Sequence, residues 1–286
     1  MTRDNEDRLG VLPTQEAIIP PVQVPVQQGN NASSLSYVMP TELVEIPSEG
    51  KLYPVGHPLR DVKEIEIKYM TAKEEDILTS KSLLKKGTAI DKMIESLLVD
   101  RTIKIDDLIL GDKNALILAA RKSGYGSKYD TEITCPLCEN KAKFSFDLDK
   151  IQNKQNVLPE GVKQTDAGTF FVTLPKSKVE VEIKPITGKE EKMLLEIQEQ
   201  RKKDKQNEGL VSNQMKVFVV SVDGAKEKSV INSFVEKMPA MDAKFLRQTY
   251  RGLAPDVDMR QEFTCSKCDH EEVLEVPLTI TFFWPE

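Results

Sequence analysis

The chain's four cysteines stand in two pairs, Cys135-x-x-Cys138 and Cys265-x-x-Cys268. A two-residue gap lets both sulfurs of a pair face one ion, and zinc favours four thiolates in a tetrahedron. The two pairs together therefore make up one complete ligand set. We read Cys135, Cys138, Cys265 and Cys268 as a structural Zn2+ site, with rubredoxin-like iron as the alternative occupant, since the same thiolates can hold it. A redox dithiol fits less well, because that chemistry uses one exposed pair at a helix N-terminus and both pairs here precede strands. His270, two residues beyond Cys268, is not needed as a ligand. A closed four-thiolate site has no open position for water, which argues against metal-assisted hydrolysis.

The sequences around the pairs resemble each other. Glu132, Thr134, Cys135, Cys138 and Leu148 correspond to Glu262, Thr264, Cys265, Cys268 and Leu278. A second echo lies upstream of each pair. Residues 66–75 read Glu-Ile-Lys-Tyr-Met-Thr-Ala-Lys-Glu-Glu, and residues 182–191 read Glu-Ile-Lys-Pro-Ile-Thr-Gly-Lys-Glu-Glu. Thr71 with Glu74, and Thr187 with Glu190, have the spacing of capping boxes that start helices, and acids in a first turn complement the helix dipole. The adjacent glutamates thus have a structural role that competes with a catalytic one.

The elements that must position the cysteines follow from periodicity and breakers. Ile65, Ile67 and Tyr69 alternate with polar residues as in a strand. The first half then predicts a helix from Thr71 to about Lys86, stopped by Gly87, and a second carrying Ile90, Met93, Ile94, Leu97 and Leu98 at helical spacing. A third, capped by Asp112, ends at Gly124 and leads into the first cysteine hairpin. Phe170–Leu174 and Val179–Ile183 form a hairpin into the second box. Helices follow over Thr187 to about Lys205, Ser229–Lys237 and Pro239–Arg251, the last with Gly252 past its end. Met215–Val222 is apolar and expected to be buried. The expected fold class is α+β, with two related helix-rich halves, each ending in a zinc-knuckle β-hairpin, joined by a split four-cysteine zinc ribbon. The expected division is an extended or disordered arm over residues 1–41, a first half over 42–150 and a second over 151–286. The arm's Ile18, Ile19, Val22, Val24 and Val26 are apolar teeth that suit ordering against a partner.

Composition excludes some classes. Hydrophobic residues make up 39% of 286, enough for a core, and the net charge of -6 lacks the basic field that phosphate neutralisation requires. Around the knuckles Lys141, Lys143 and Lys267 are offset by Glu139, Asp269, Glu271 and Glu272, so no nucleic acid is expected as a partner, although a nucleic-acid-binding zinc ribbon stays as a rival. No apolar run reaches membrane-spanning length, so no membrane is expected, and Met1–Glu6 starts no secretory signal. Thiols in C-x-x-C pairs indicate a reducing compartment. His57 and His270 are the only imidazoles, and no P-loop, G-x-G-x-x-G or G-x-S-x-G is present. Gly124-Tyr125-Gly126-Ser127 reads as a helix stop. Arg121 and Tyr125 are candidate surface contacts, although an arginine near a helix C-terminus also has a dipole reason. Trp284 in Phe282-Phe283-Trp284 is expected to be core.

The ordered set Ile46-Pro-Ser-Glu-Gly-Lys-Leu-Tyr-Pro54, Met70-Thr-Ala-Lys-Glu-Glu75, Arg121-Lys-Ser-Gly-Tyr-Gly126 and Cys135-Pro-Leu-Cys138 resembles the baseplate hub protein family of T4-type contractile-tailed bacteriophages, over residues 42–150, with the second half a looser echo. The resemblance implies a non-enzymatic component of the virion's tail baseplate, made in the host cytoplasm. Its partners would be other baseplate or tail hub proteins, with the N-terminal arm as the candidate contact. A transient assembly chaperone absent from the virion is the rival within that reading. The resemblance carries over no catalytic residues.

Overall fold

The alternation at Ile65 and Ile67 becomes β2 (Glu64–Lys68), which ends one residue before Tyr69; it pairs antiparallel with β1 (Thr41–Glu45), a strand that begins inside the expected 1–41 arm, and Val44, Ile65 and Ile67 are buried on the inner face of the pair. The computed structural model describes residues 39–154, 156, 158–203, 209–276, 278 and 282–283. Residues 1–38, the end of the predicted Thr187–Lys205 helix and Trp284 lie outside the described residues. Met39–Glu286 is one unit of the chain. It mixes helix and sheet throughout.

Thr71 starts α1 (Ala72–Thr79) as a capping box: its N–H donates to Glu74 Oε2 at 3.0 Å, while its hydroxyl accepts from the first turn. Burial pushes the Glu74 carboxyl up, but hydrogen bonds from Thr71 and Ser96 outweigh this and hold it below the ordinary carboxylate range. The helix expected to continue to Lys86 breaks at Ser80, and α2 (Lys81–Lys85) follows. Thr79 Oγ1 bonds back to the Glu75 carbonyl at 2.9 Å, a side-chain alternative that competes with helix continuation. The amphipathic α3 (Ala89–Leu97) buries Met93, Ile94 and Leu97.

The third helix corrects an expectation. α4 spans Leu110–Tyr125 and is entered through Ile109, so Asp112 is not its cap. Asp112 is fully buried in the first turn and turns outward from its own helix to hold the connector between β1 and β2, residues 46–63. It accepts from Ser48 N–H (2.9 Å), Ser48 Oγ (2.6 Å) and Tyr53 OH (2.7 Å). Gly50 completes that connector at φ +71, with Val62 N and Leu59 O only 2.4 and 2.5 Å from where a Cβ would sit, so a side chain there meets both strain and backbone.

α4 leads to the hairpin β3 (Lys128–Thr134) and β4 (Lys141–Asp147). Next come β5 (Lys163–Gln164), β6 (Phe170–Thr173) and β7 (Glu180–Ile183), followed by α5 (Gly188–Lys203), α6 (Leu210–Phe218) and β8 (Val219–Val222). Met215–Val222 is thus a helix end followed by a strand, and β5-β6-β7-β8 form one antiparallel sheet. α7 (Lys228–Lys237) and α8 (Ala240–Leu253) cover it, and Phe170, Val172, Val181, Ile183, Phe218, Ile231, Val235 and Leu246 make its core. Gly252 falls inside α8; the helix ends because Ala254 precedes Pro255 and takes an extended conformation. The hairpin β9 (Arg260–Thr264) and β10 (Glu271–Glu275) closes the order. Val257, Met259, Val276, Phe282 and Phe283 join the core built by β1, β2, α1, α3 and α4.

At the turn between β6 and β7 the buried Asp242 accepts from Lys176 N–H (2.7 Å) and Ser177 N–H (2.9 Å). Burial raises its carboxyl, but those amides outweigh it and hold the group below its ordinary value of 3.8. The native state therefore binds the proton less tightly than the unfolded chain. The stabilisation is fully present above the ordinary value and is lost as pH falls through the native one. Asp242→Asn is expected to lower the midpoint of urea unfolding at pH 7 and to flatten its loss between pH 5 and 3. An acid limb as steep as the parent's would count against this role.

Candidate metal centre

Each cysteine pair sits in the turn of a two-stranded hairpin, and the two turns have the same local construction. Cys135 N–H donates to the Asn140 carbonyl and Cys265 N–H to the His270 carbonyl, both at 2.9 Å. Glu139 N–H returns to the Cys135 carbonyl (2.9 Å) and Asp269 N–H to that of Cys265 (3.0 Å). Glu139 and Asp269 take the left-handed conformation, at φ 54 and 53, which tightens each turn so that its two thiols lie on one side. The register of β3 with β4 and of β9 with β10 then carries the same strand-turn-strand frame away from both turns.

The fold brings all four sulfurs together. Their Sγ atoms lie within 4.8 Å of one another. Two of the contacts run between the hairpins, Cys135 to Cys268 at 3.8 Å and Cys138 to Cys265 at 3.7 Å. Those separations are too long for a disulfide, whose sulfurs lie about 2 Å apart. They match the edge of a tetrahedron with metal–sulfur bonds of about 2.3 Å, which is about 3.8 Å. The cluster is compatible with a metal site. Cys135 and Cys265 are buried, while Cys138 and Cys268 are half-buried.

The hairpins hold each other without help from the sulfurs as well. Phe144 of β4 meets Phe263 of β9 edge-to-face at 5.3 Å. Gln261 of β9 spans the gap with both ends of its amide, accepting from Asp147 N–H (3.0 Å) and donating to the Asp147 carbonyl (2.7 Å). Gln261 carries no sequence signal of this role, because its partner is a backbone at the end of another hairpin.

Electrostatics within the cluster favour a thiolate. The Lys267 and Cys268 amides point at Cys265 and pull its thiol down to about 6. For Cys268 the His270 amide pulls down, but hydrogen bonds shared with Cys138 and the neighbouring sulfurs outweigh it and push the thiol up to about 12. Four thiols this close cannot all ionise unless a cation compensates them. His270 is not part of the cysteine cluster; its ring faces Glu272 at 3.6 Å.

The other residues singled out by sequence resolve into structure. Glu190 takes the Thr187 N–H at 2.9 Å and the Thr187 hydroxyl at 2.5 Å, as in the first box. Glu75 accepts from Tyr125 OH at 2.8 Å. Glu191 pairs with the buried Lys113 (2.5 Å), which also holds Asp91 (2.8 Å). Lys192 reaches Asp91 (3.2 Å) and Asp106, so five charges join α3, α4, α5 and the short turn Ile105–Asp107. Arg121 is not a surface contact. It is 1% exposed and donates to the carbonyls of Phe282 (2.7 Å), Gly126 (2.8 Å) and Lys128 (3.0 Å), with Tyr125, Tyr129 and Phe282 rings around it. It fastens Phe282 and Phe283, both fully buried, to the end of α4. His57 stacks on Tyr53 at 4.5 Å and accepts from Leu59 N–H. No described helix is long and apolar enough to cross a membrane.

Comparison with known proteins adds one match. A family model described as T4 bacteriophage base plate protein matches residues 39–284, so the match runs from just before β1 through both cysteine hairpins and beyond residue 150, where the sequence resemblance stopped. No curated protein and no solved structure matches the chain.

Proposed function

We propose, for a chain that belongs to the T4 bacteriophage base plate protein family, that it is a built-in, non-enzymatic component of the baseplate hub that joins other hub proteins. Membership of the family carries a structural role in the phage baseplate, association with other baseplate proteins and a place in the tail of the virion. The hub assignment rests further on the four ordered motifs from Ile46 to Cys138. The observation that carries the reading is the family match over residues 39–284.

The cysteine cluster supports a structural part and not a reaction. We read it as a split zinc ribbon in which Cys135, Cys138, Cys265 and Cys268 hold one Zn2+. All four positions of such a tetrahedron are protein ligands, which leaves none for water or substrate. Zinc is favoured over iron because four thiolates in paired turns suit a redox-silent structural ion. The identical hydrogen bonding of the two turns and the repeated box at Thr71 and Thr187 support two related halves, 42–150 and 151–286, tied at the metal. The carboxylates that stand in adjacent pairs are taken up by caps and ion pairs, which supports the non-enzymatic reading. The segment before β1, residues 1–38, is proposed as an arm toward a hub partner on its apolar residues from Ile18 to Val26. The acids flanking the knuckles weigh against nucleic acid as a partner.

Quantitative mass spectrometry of purified virions tests the reading. A fixed small ratio of this chain to the major tail proteins is expected. Absence from particles with presence in infected-cell extracts would make it a transient assembly chaperone. Absence from both would return the nucleic-acid-binding ribbon to first place.

A further inference from the structure

Among the described residues, strand β1 pairs along one edge. At its ends Tyr69 N–H donates to the Pro40 carbonyl (3.0 Å) and Ile46 N–H to the Lys63 carbonyl (2.9 Å). Bonded pairs alternate along an antiparallel ribbon, so Glu42 and Val44 also spend their backbone groups on β2. The N–H and C=O groups of Thr41, Leu43 and Glu45 therefore point away from it, and among the described residues no backbone group meets them. β2 differs: its far edge bridges Leu98, and Val99 N–H donates to the Glu66 carbonyl.

Beside the open edge runs a trough of about 510 Å³. Ala115, Leu118 and Ala119 of α4 form its apolar floor, and the segment from Ile151 to Asn153 lines it too. That segment does not close onto β1, because its backbone is bonded to residues 256–258 instead. Inside the trough Glu42 Oε1 is buried with no hydrogen-bond partner among the described residues. Lys122, the cation of the lining, is engaged by Asp149 at 2.6 Å. Leu43 is 65% exposed on the edge itself, and Glu45, Glu64 and Glu66 make the ribbon around it acidic. Open, flat edges are normally blunted by charge, proline or a cover; here an apolar side chain, small-residue floor and unpaired carboxylate lie together.

We propose that β1 is an assembly edge, to which another baseplate protein adds an extended segment with apolar residues at alternate positions over the α4 floor and a lysine or arginine opposite Glu42. Main-chain pairing supplies the affinity in such additions and the alternate side chains the specificity. That the partner belongs to the baseplate rests on the family reading; the edge pairing does not.

The test places a photoreactive phenylalanine analogue at position 43 of the full chain during infection, with a second at the exposed Lys150 as a control. Cross-linked peptides are identified from particles and from infected-cell extracts. The expected product is one segment of a different tail protein, with period-two apolar residues and a basic residue. Leu43→Pro removes an N–H that β2 does not use, so it should leave the melting curve in place and reduce the cross-link by roughly tenfold or more, read from a probe at position 45. Glu42→Gln keeps the fold and should reduce it roughly fivefold. A product within the same chain or a second copy overturns the proposal. So does labelling no stronger than at position 150, or a yield unchanged by both variants. A segment-specific product found in extracts but not in particles would support the edge while refuting the built-in role.

Discussion

Cys135→Ser is expected to release the bound metal and to lower the melting temperature of the whole unit. In isolated zinc modules ligation contributes on the order of 10 kcal/mol or more to folding. Here Phe144, Phe263 and Gln261 already hold the hairpins together, so a smaller share of about 5 kcal/mol is the reasonable expectation. For a unit of this size that corresponds to roughly 10–20 °C. The parent should carry one metal per chain by elemental analysis, and chelation should move its melting curve onto that of the variant. A chelator should then have no further effect on the variant, since both treatments remove the same ion. Amide exchange should accelerate first at Cys135, Glu139, Cys265 and Asp269, whose backbone bonds form the two turns. Metal retained by the variant with an unchanged melting curve would refute the site.

Asp112→Ala is expected to cost about 3–5 kcal/mol, measured by urea unfolding. The fully buried carboxylate accepts three hydrogen bonds of 2.6–2.9 Å from Ser48 and Tyr53, and Tyr53 OH in turn accepts from Ile109 N–H at 3.1 Å. Its removal leaves a hydroxyl, a phenol and an amide buried without their partner, each a penalty of about 1 kcal/mol or more. Asp112→Asn keeps an acceptor and the shape, so it should cost far less. The two variants together separate loss of the contact from loss of the charge. Burial raises the Asp112 carboxyl above its ordinary 3.8, and the hydrogen bonds from Ser48 and Tyr53 recover only part of that. The native state thus binds this proton more tightly than the unfolded chain. Its contribution is largest at and below the ordinary value and declines as pH rises through the raised native one. The parent's advantage over Asp112→Asn should therefore shrink from pH 4 upward, opposite in sign to the trend at Asp242. An advantage that grows with pH would show that the hydrogen bonds, not burial, set the ionisation of Asp112.

The motif Ile46–Pro54 gains a physical reason from the same contacts. Ser48 and Tyr53 are the two residues that reach Asp112, and Gly50 is the residue that lets the connector pass the backbone of Leu59 and Val62. Arg60 adds a clasp, donating to the carbonyls of Tyr53 (2.7 Å) and Asp166 (3.0 Å).

Short-range patterns were enough to pick out the four clustered cysteines, the Thr71–Glu74 and Thr187–Glu190 helix starts and the hairpins at Phe170–Ile183 and at each cysteine pair. Those features depend on residues a few positions apart, whose hydrogen bonds are closed by local backbone geometry, and residue type at fixed spacing records that geometry. Asp112 was legible only as a helix-start residue, since aspartate at the head of a helix has an ordinary local use as a cap. Its actual partners are Ser48 and Tyr53, on a different element. Arg121 likewise has the local signature of a helix-end charge, whereas its partner Phe282 lies 161 residues away. The break at Ser80 and the Gln261 bridge had competing or absent local signals. The pairing within each C-x-x-C belongs to the sequence. The meeting of Cys135 with Cys268, the burial of Arg121 and the open edge of β1 belong to the tertiary structure, because contacts between distant segments are set by how whole elements pack, and no local period encodes that.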